Sequence, residues 1–109
     1  MWREASELAA LVYASTARFS AAERAVLGAQ MRRAALSVPA NIAEGNGRAS
    51  RAEYLRFLGM AWGSLKELGS HVDLAAAAAQ LPPPQVAELR TRIRHTGQLL
   101  HGLRTSLRR

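Results

Sequence analysis

Apolar residues recur at helical three-and-four spacing in successive stretches of this chain. The first runs from about Trp2 to Arg18, with Ala5, Leu8, Val12 and Phe19 near one face and Leu11 beside it. Glu4 and Glu7 lie in its opening turns, where carboxylates complement exposed backbone amides. Ser20 followed by Glu23 reads as a capping box and starts a second helix carrying Val26, Leu27, Met31, Ala34, Ala35 and Val38. A third helix is predicted from about Arg51 to Gln80, on which Tyr54, Leu58, Ala61, Leu65, Leu68, Val72 and Ala75 alternate at spacings of 4 and 3. Leu55, Phe57, Trp62 and Leu74 widen its apolar surface, so burial on more than one side is expected. Pro82, Pro83 and Pro84 close that helix and open a fourth, which carries Val86, Leu89, Ile93, Thr96, Leu100, Leu103 and Leu107 as a heptad seam. No strand-like alternation or internal repeat interrupts the pattern. The expected fold is all-α, an antiparallel up-down-up-down four-helix bundle forming a single domain over residues 1–109.

The stretch from Met31 to Glu53 carries the densest punctuation. Gly45 and Gly47 suit a helix end at positive φ, and Ser50 with Glu53 forms another capping box, so one helix stops and the next starts there. Gly45-Asn46-Gly47 beside Arg48 also has the composition of an anion-binding nest, although a helix cap explains it more simply. Pro39 removes one backbone hydrogen bond, which predicts a kink near Ala35 to Ser37 and a role for the Ser37 hydroxyl at a freed carbonyl. Asn41 and Glu44 follow Ser37 at i+4 and i+7, making a polar stripe on an apolar segment. With Ser64 and Glu67 they form a candidate structural polar network, and Arg33 is a charge partner for Glu44 or Glu67. The competing reading is a ligand cavity. The structural one is preferred because no metal-like cluster of His or carboxylates accompanies these residues. Gly59 and Gly63, four apart, predict close approach of another helix.

RRAALSVPANIAEGNGR in this stretch, followed by RFLGMAWGSLKEL at Arg56 to Leu68, resembles the signature of the four-helix-bundle proteins encoded by intervening sequences in bacterial 23S rRNA genes. The matching residues are Arg33, Ser37, Pro39, Asn41, Glu44, Gly45, Arg48, Phe57, Gly63, Ser64 and Glu67. Trp2, Val12-Tyr13 and Phe19 to Glu23 extend the resemblance over nearly the whole chain. It implies a homopentamer of antiparallel bundles with an unsettled biochemical role. Distant relatives resembling this family are basic accessory proteins of the reverse transcriptases in diversity-generating retroelements.

Composition narrows the function classes. The chain has no Cys, which excludes disulfides and thiolate metal sites and fits a reducing cytoplasm. No apolar run approaches a membrane span, and Glu4 and Glu7 sit where a signal peptide would be apolar, so a soluble, unexported, cytoplasmic protein is expected. Much of the 49% hydrophobic content is Ala, and only 6% of residues are aromatic, so the core is thin and oligomerisation would support it. No metal is expected and no cofactor is implied. His71, His95 and His101 lack i,i+4 spacing, and no HExxH, nucleophile elbow or phosphate-binding loop stands out, so the chain reads as non-enzymatic.

Charge changes the picture most. The net charge is +7, and every basic residue is Arg except Lys66. Arg forks suit phosphates, but a GC-rich genome also yields Arg and Ala. Residues 82–109 hold six Arg against Glu88 alone, for +5, whereas residues 1–47 and 48–81 each carry +1. The candidate nucleic-acid contacts are Arg32, Arg33, Arg48, Arg51 and Arg56 around the central turn, and Arg90, Arg92, Arg94 and Arg104 on the fourth helix, with His95 and His101 adding charge at mildly acidic pH. Sequence-specific readout has no motif behind it. The expectation is a basic oligomer binding nucleic acid, chiefly structured RNA, through an arginine-rich surface. The alternative is a protein-interaction scaffold, such as an accessory subunit of a reverse transcriptase.

Overall fold

The computed structural model describes residues 1–109 and contains helices and no strand. Helix α1 spans Trp2–Thr16. Helix α2 covers residues 21–46, built from Ala21–Glu23, a π-helical segment Arg24–Gly28 and Ala29–Asn46. Helix α3 spans Arg51–Ala77 and α4 spans Pro83–Arg108. The long axis of 44 Å is close to the roughly 40 Å rise of a helix as long as α3. No helix is long and apolar enough to cross a membrane.

The starts of α2 and α3 follow the side-chain chemistry. Ser50 Oγ accepts the Glu53 amide at 3.1 Å, and Ser20 Oγ accepts the Glu23 amide at 3.3 Å. The reciprocal halves of both capping boxes are used differently. The Glu53 carboxylate turns to Arg56 at 2.8 Å, and the Ser20 amide donates to Gln80 Oε1 at 3.1 Å, tying the α1–α2 corner to the α3–α4 corner. At the other end, Arg51 Nη1 reaches the Arg109 carbonyl at 3.3 Å.

Helices α2 and α3 share the most extensive contact, α1 packs on α2, and α4 on α3, with a lighter α1–α4 seam. This is the arrangement of a four-helix bundle. One core joins Leu8 and Val12 of α1, Met31 and Val38 of α2, Leu58, Leu65, Leu68 and Val72 of α3, and Leu89 and Leu100 of α4. Ala34, Ala35 and Ala61 lie fully inside it. The seam of α4 is shallower, since Ile93, Leu103 and Leu107 are only half-buried.

Two local expectations are corrected. No glycine adopts positive φ; the chain reaches it at Ala79, with φ 57°, where α3 ends. Gly45 matters for space instead: a Cβ there would lie 2.8 Å from Phe57 Cβ and 3.0 Å from Tyr54 Cδ1. Close approach therefore occurs at Gly45 rather than at Gly63, which has nothing within 4 Å of its Cβ position. The helix also continues through Pro39 as far as Asn46. A π-helical segment lies earlier, at Arg24–Gly28, where Val26 is 69% exposed and Gly28 is buried against Phe19.

Gly45→Val should lower stability by about 2 kcal/mol, because overpacking against Phe57 outweighs the gain in helix propensity. Circular-dichroism melting would register this as a lower Tm. Leu68→Ala, deep in the core, should cost about 2–5 kcal/mol, whereas Leu74→Ala, at a position 55% exposed, should stay within about 0.5 kcal/mol in the same urea titration.

Candidate nucleic-acid interface

The central turn brings Arg48, Arg51 and Arg56 to one end of the bundle but leaves little free charge there. Arg48 pairs with Glu44 one helical turn back, and Arg56 with Glu53. Both guanidiniums lie over the Phe57 ring, at 4.9 and 4.6 Å from its centroid. The hydrogen bond from Arg56 holds the Glu53 carboxyl below its usual range and raises the Arg56 pKa in turn. A carboxyl shifted downward keeps its pairing at neutral pH and loses it only as pH falls through the lowered value. Arg51 is the one guanidinium of this group without an Asp or Glu partner; it donates to the main-chain oxygen of Arg109.

Arg32 and Arg33 serve the fold. Arg32 Nε donates to Thr16 Oγ1 at 2.7 Å, and its guanidinium lies 4.7 Å from the Tyr13 ring centroid, clamping α2 to the end of α1. Thr16 is fully buried, and its hydroxyl donates to the Val12 carbonyl at 2.8 Å. Arg33 bridges to Glu67 at 3.1 Å, and the same carboxylate oxygen meets His71 Nε2 at 3.1 Å. Glu67 is thus the charge partner of Arg33.

The polar network is smaller than the sequence suggests. Asn41 Nδ2 donates to the Ser37 carbonyl at 2.8 Å and to Ser37 Oγ at 2.9 Å, and Ser64 Oγ donates to Ser37 Oγ at 2.8 Å. These three half-buried residues pin α2 to α3. Glu44 is exposed and occupied with Arg48, so it stands outside the group, and Glu67 belongs to the neighbouring Arg33 bridge.

Helix α4 divides its cations. Arg90 pairs with Asp73 at 2.7 Å, and Arg92 lies 3.6 Å from Glu7 and 4.0 Å from Glu88. Arg94 and Arg104 have no carboxylate partner. Both belong to the α3–α4 side of the molecule, where a groove of about 500 Å³ contains Trp62, Lys66, Arg94 and His101. Lys66 Nζ lies 4.5 Å from the Trp62 ring centroid and Arg104 Cζ 5.6 Å from it. Arg104 Nε is buried without a hydrogen-bond partner.

Trp62 and Lys66 do not stand out as site residues in the sequence, because Trp62 has the character of added core and Lys66 that of an isolated exception. Their signal is the series Trp62, Lys66, Gly69 and Asp73, spaced by 4, 3 and 4 along one stripe of α3. No group of His, Asp and Glu suited to a metal ion is present.

The family model of the 23S rRNA-intervening sequence proteins matches residues 1–102. The chain belongs to that family. A crystal structure of a protein of unknown function from the S23 ribosomal protein family of Bacteroides thetaiotaomicron superposes with a TM-score of 0.84 at 20% identity, covering 94% of this chain and 95% of that one. That likeness establishes the fold. No curated protein matches the chain.

Within this intervening-sequence family member, the geometry separates structural from available arginines. Arg32→Ala should cost about 1 kcal/mol of stability by removing the Thr16 bond and the Tyr13 stack, whereas Arg94→Ala should change stability by less than about 0.5 kcal/mol. Chemical denaturation of the two variants side by side gives the comparison.

Proposed function

We propose that this protein is a non-enzymatic, cytoplasmic, oligomeric nucleic-acid-binding protein that engages the phosphates of structured RNA. The observation that carries this reading is the convergence of Lys66, Arg94 and Arg104, none of them paired to a carboxylate, on the α3–α4 side of a chain of net charge +7. Phosphate binding needs positive donors that are free to exchange their counterions, and these qualify where Arg33, Arg48 and Arg56 do not. The family's name, which ties its members to intervening sequences of 23S rRNA, favours RNA as the polyanion.

The finer architecture belongs to the same proposal. The bundle is antiparallel, up-down-up-down, and assembles as a homopentamer. The pairing of Arg33 with Glu67, Ser37 with Ser64 and Gly45 with Phe57 supports the helix order, since positions rise along α2 as they fall along α3. Self-association is supported by an apolar face on α1 and α2, where Trp2, Tyr13 and Leu36 are 56%, 41% and 48% exposed around a shallow groove floored by Ala9 and Pro39. A fivefold ring would repeat each basic groove and multiply the local potential.

In filter-binding assays with an RNA that copies a 23S rRNA helix, log K should fall linearly with log salt concentration, and Arg94→Ala should reduce that slope by roughly one. Absence of retention at low salt refutes the reading. Light scattering should give about five times the chain's 11.8 kDa, and Leu36→Asp should shift the protein to smaller species that keep their helical signal.

A further inference from the structure

We propose that the groove between α3 and α4 is a binding site for an unpaired RNA nucleotide, with the base stacked on Trp62 and its phosphates held by Lys66, Arg94 and Arg104. This rests on the RNA-binding reading above and adds which form of RNA is taken and where.

Phosphate attraction alone does not call for an aromatic ring, yet Trp62 lies against two of the unpaired cations, Lys66 and Arg104, and shares the groove with the third, Arg94. Its ring is half-buried between the two helices, within a concave space comparable to small-ligand pockets. Glycines keep that space open: Gly69 has nothing within 4 Å of its Cβ position, and a Cβ on Gly97 would meet only Leu65 Cδ2 at 3.4 Å and Trp62 Cζ3 at 3.8 Å. His101 supplies a second ring, with its centroid 6.4 Å from that of Trp62 and the planes inclined at 48°.

In the free protein Lys66 and Arg104 cover the indole as cation–π partners. Both side chains are long, and an arriving base offers Trp62 a stronger contact than a solvated cation does. Displaced from the ring, the ammonium and guanidinium are within reach of the phosphates flanking that base. The buried, unpartnered Arg104 Nε marks a donor whose bonding is incomplete in the free state. A continuous duplex cannot use this arrangement, because its base faces are covered by neighbours and its accessible groove presents mainly ribose hydroxyls and phosphates. A base projecting from a single strand, loop or bulge can.

The test uses the full chain carrying Trp2→Phe, with light scattering matched to the parent chain because Trp2 lies on the self-association face, so that fluorescence reports Trp62 alone. Oligoadenylate and a blunt RNA duplex with the same number of phosphates are each titrated at low salt, with retention on filters measured in parallel. Oligoadenylate should quench Trp62 saturably, while the duplex is retained without quenching. Trp62→Leu should weaken oligoadenylate binding about tenfold or more and leave duplex retention unchanged, and Trp62→Phe should recover most of the loss. Gly69→Leu, which fills the groove from a helical position without altering charge, should reproduce the Trp62→Leu result in a chain whose melting is preserved. Equal quenching by the duplex, or unchanged oligoadenylate binding by Trp62→Leu, overturns this site while leaving the basic-surface reading intact. Retention of neither RNA overturns both.

Discussion

Close approach of α2 and α3 is the constraint on which the rest of the molecule depends. It is achieved by removing bulk: Ala34, Ala35 and Ala61 are fully buried, and Gly45 leaves no room for even a methyl group against Phe57 and Tyr54. Backbones brought this near allow short side chains to bridge them, which is why the hydroxyls of Ser37 and Ser64 can meet directly and Asn41 can close the set. Dispersion contacts between tightly packed small residues compensate for a core with few aromatic rings. The same packing fixes the rotation of α3 about its axis. Leu65 and Leu68 then face inward while Trp62, Lys66 and Gly69 form a stripe toward α4.

Electrostatics follow from that rotation rather than from the overall excess of arginine. The acidic residues are few, but most lie within reach of a guanidinium: Glu44 takes Arg48, Glu53 takes Arg56, Glu67 takes Arg33 and Asp73 takes Arg90. Exposed pairs of this kind contribute little to stability, yet they neutralise the surface where they occur. Cations without a carboxylate partner are left beside Trp62, at Lys66 and Arg104, and at Arg94 on α4. Asp73 bounds the groove at one end through Arg90, so the available cations lie toward Arg94 and Arg104.

Sequence makes the helices and their junctions readable, because those depend on neighbours a few residues apart. Ser20, Ser50 and the proline triplet mark boundaries through local hydrogen bonding, and the 4-and-3 spacing along α3 names a core that is buried almost as expected, from Leu58 to Ala75. Features depending on pairing across the bundle are harder to see. Gly45 carries the composition of a turn glycine, and only the position of Phe57 on α3 reveals that it is a packing glycine. The assignment of each arginine to a carboxylate depends on which helices lie side by side. Arg32 groups by sequence with the phosphate contacts, although it reaches back to Thr16 and Tyr13. Trp62 has the same apolar signature as a core residue, and its place in a groove depends on Gly97 of α4 lying opposite it.

The wide turn at Arg24–Gly28 has an architectural consequence. One additional residue in a helical turn rotates everything downstream by about 100° relative to an uninterrupted helix. Gly28 sits against Phe19 at the corner and already belongs to the three-and-four series of Met31, Ala35, Val38 and Ile42, so the face that addresses the interior begins within the wide turn. What the wide turn sets apart is the short opening Ala21–Glu23, which buries no side chain and serves the Ser20 cap while the rest of the rod serves the core.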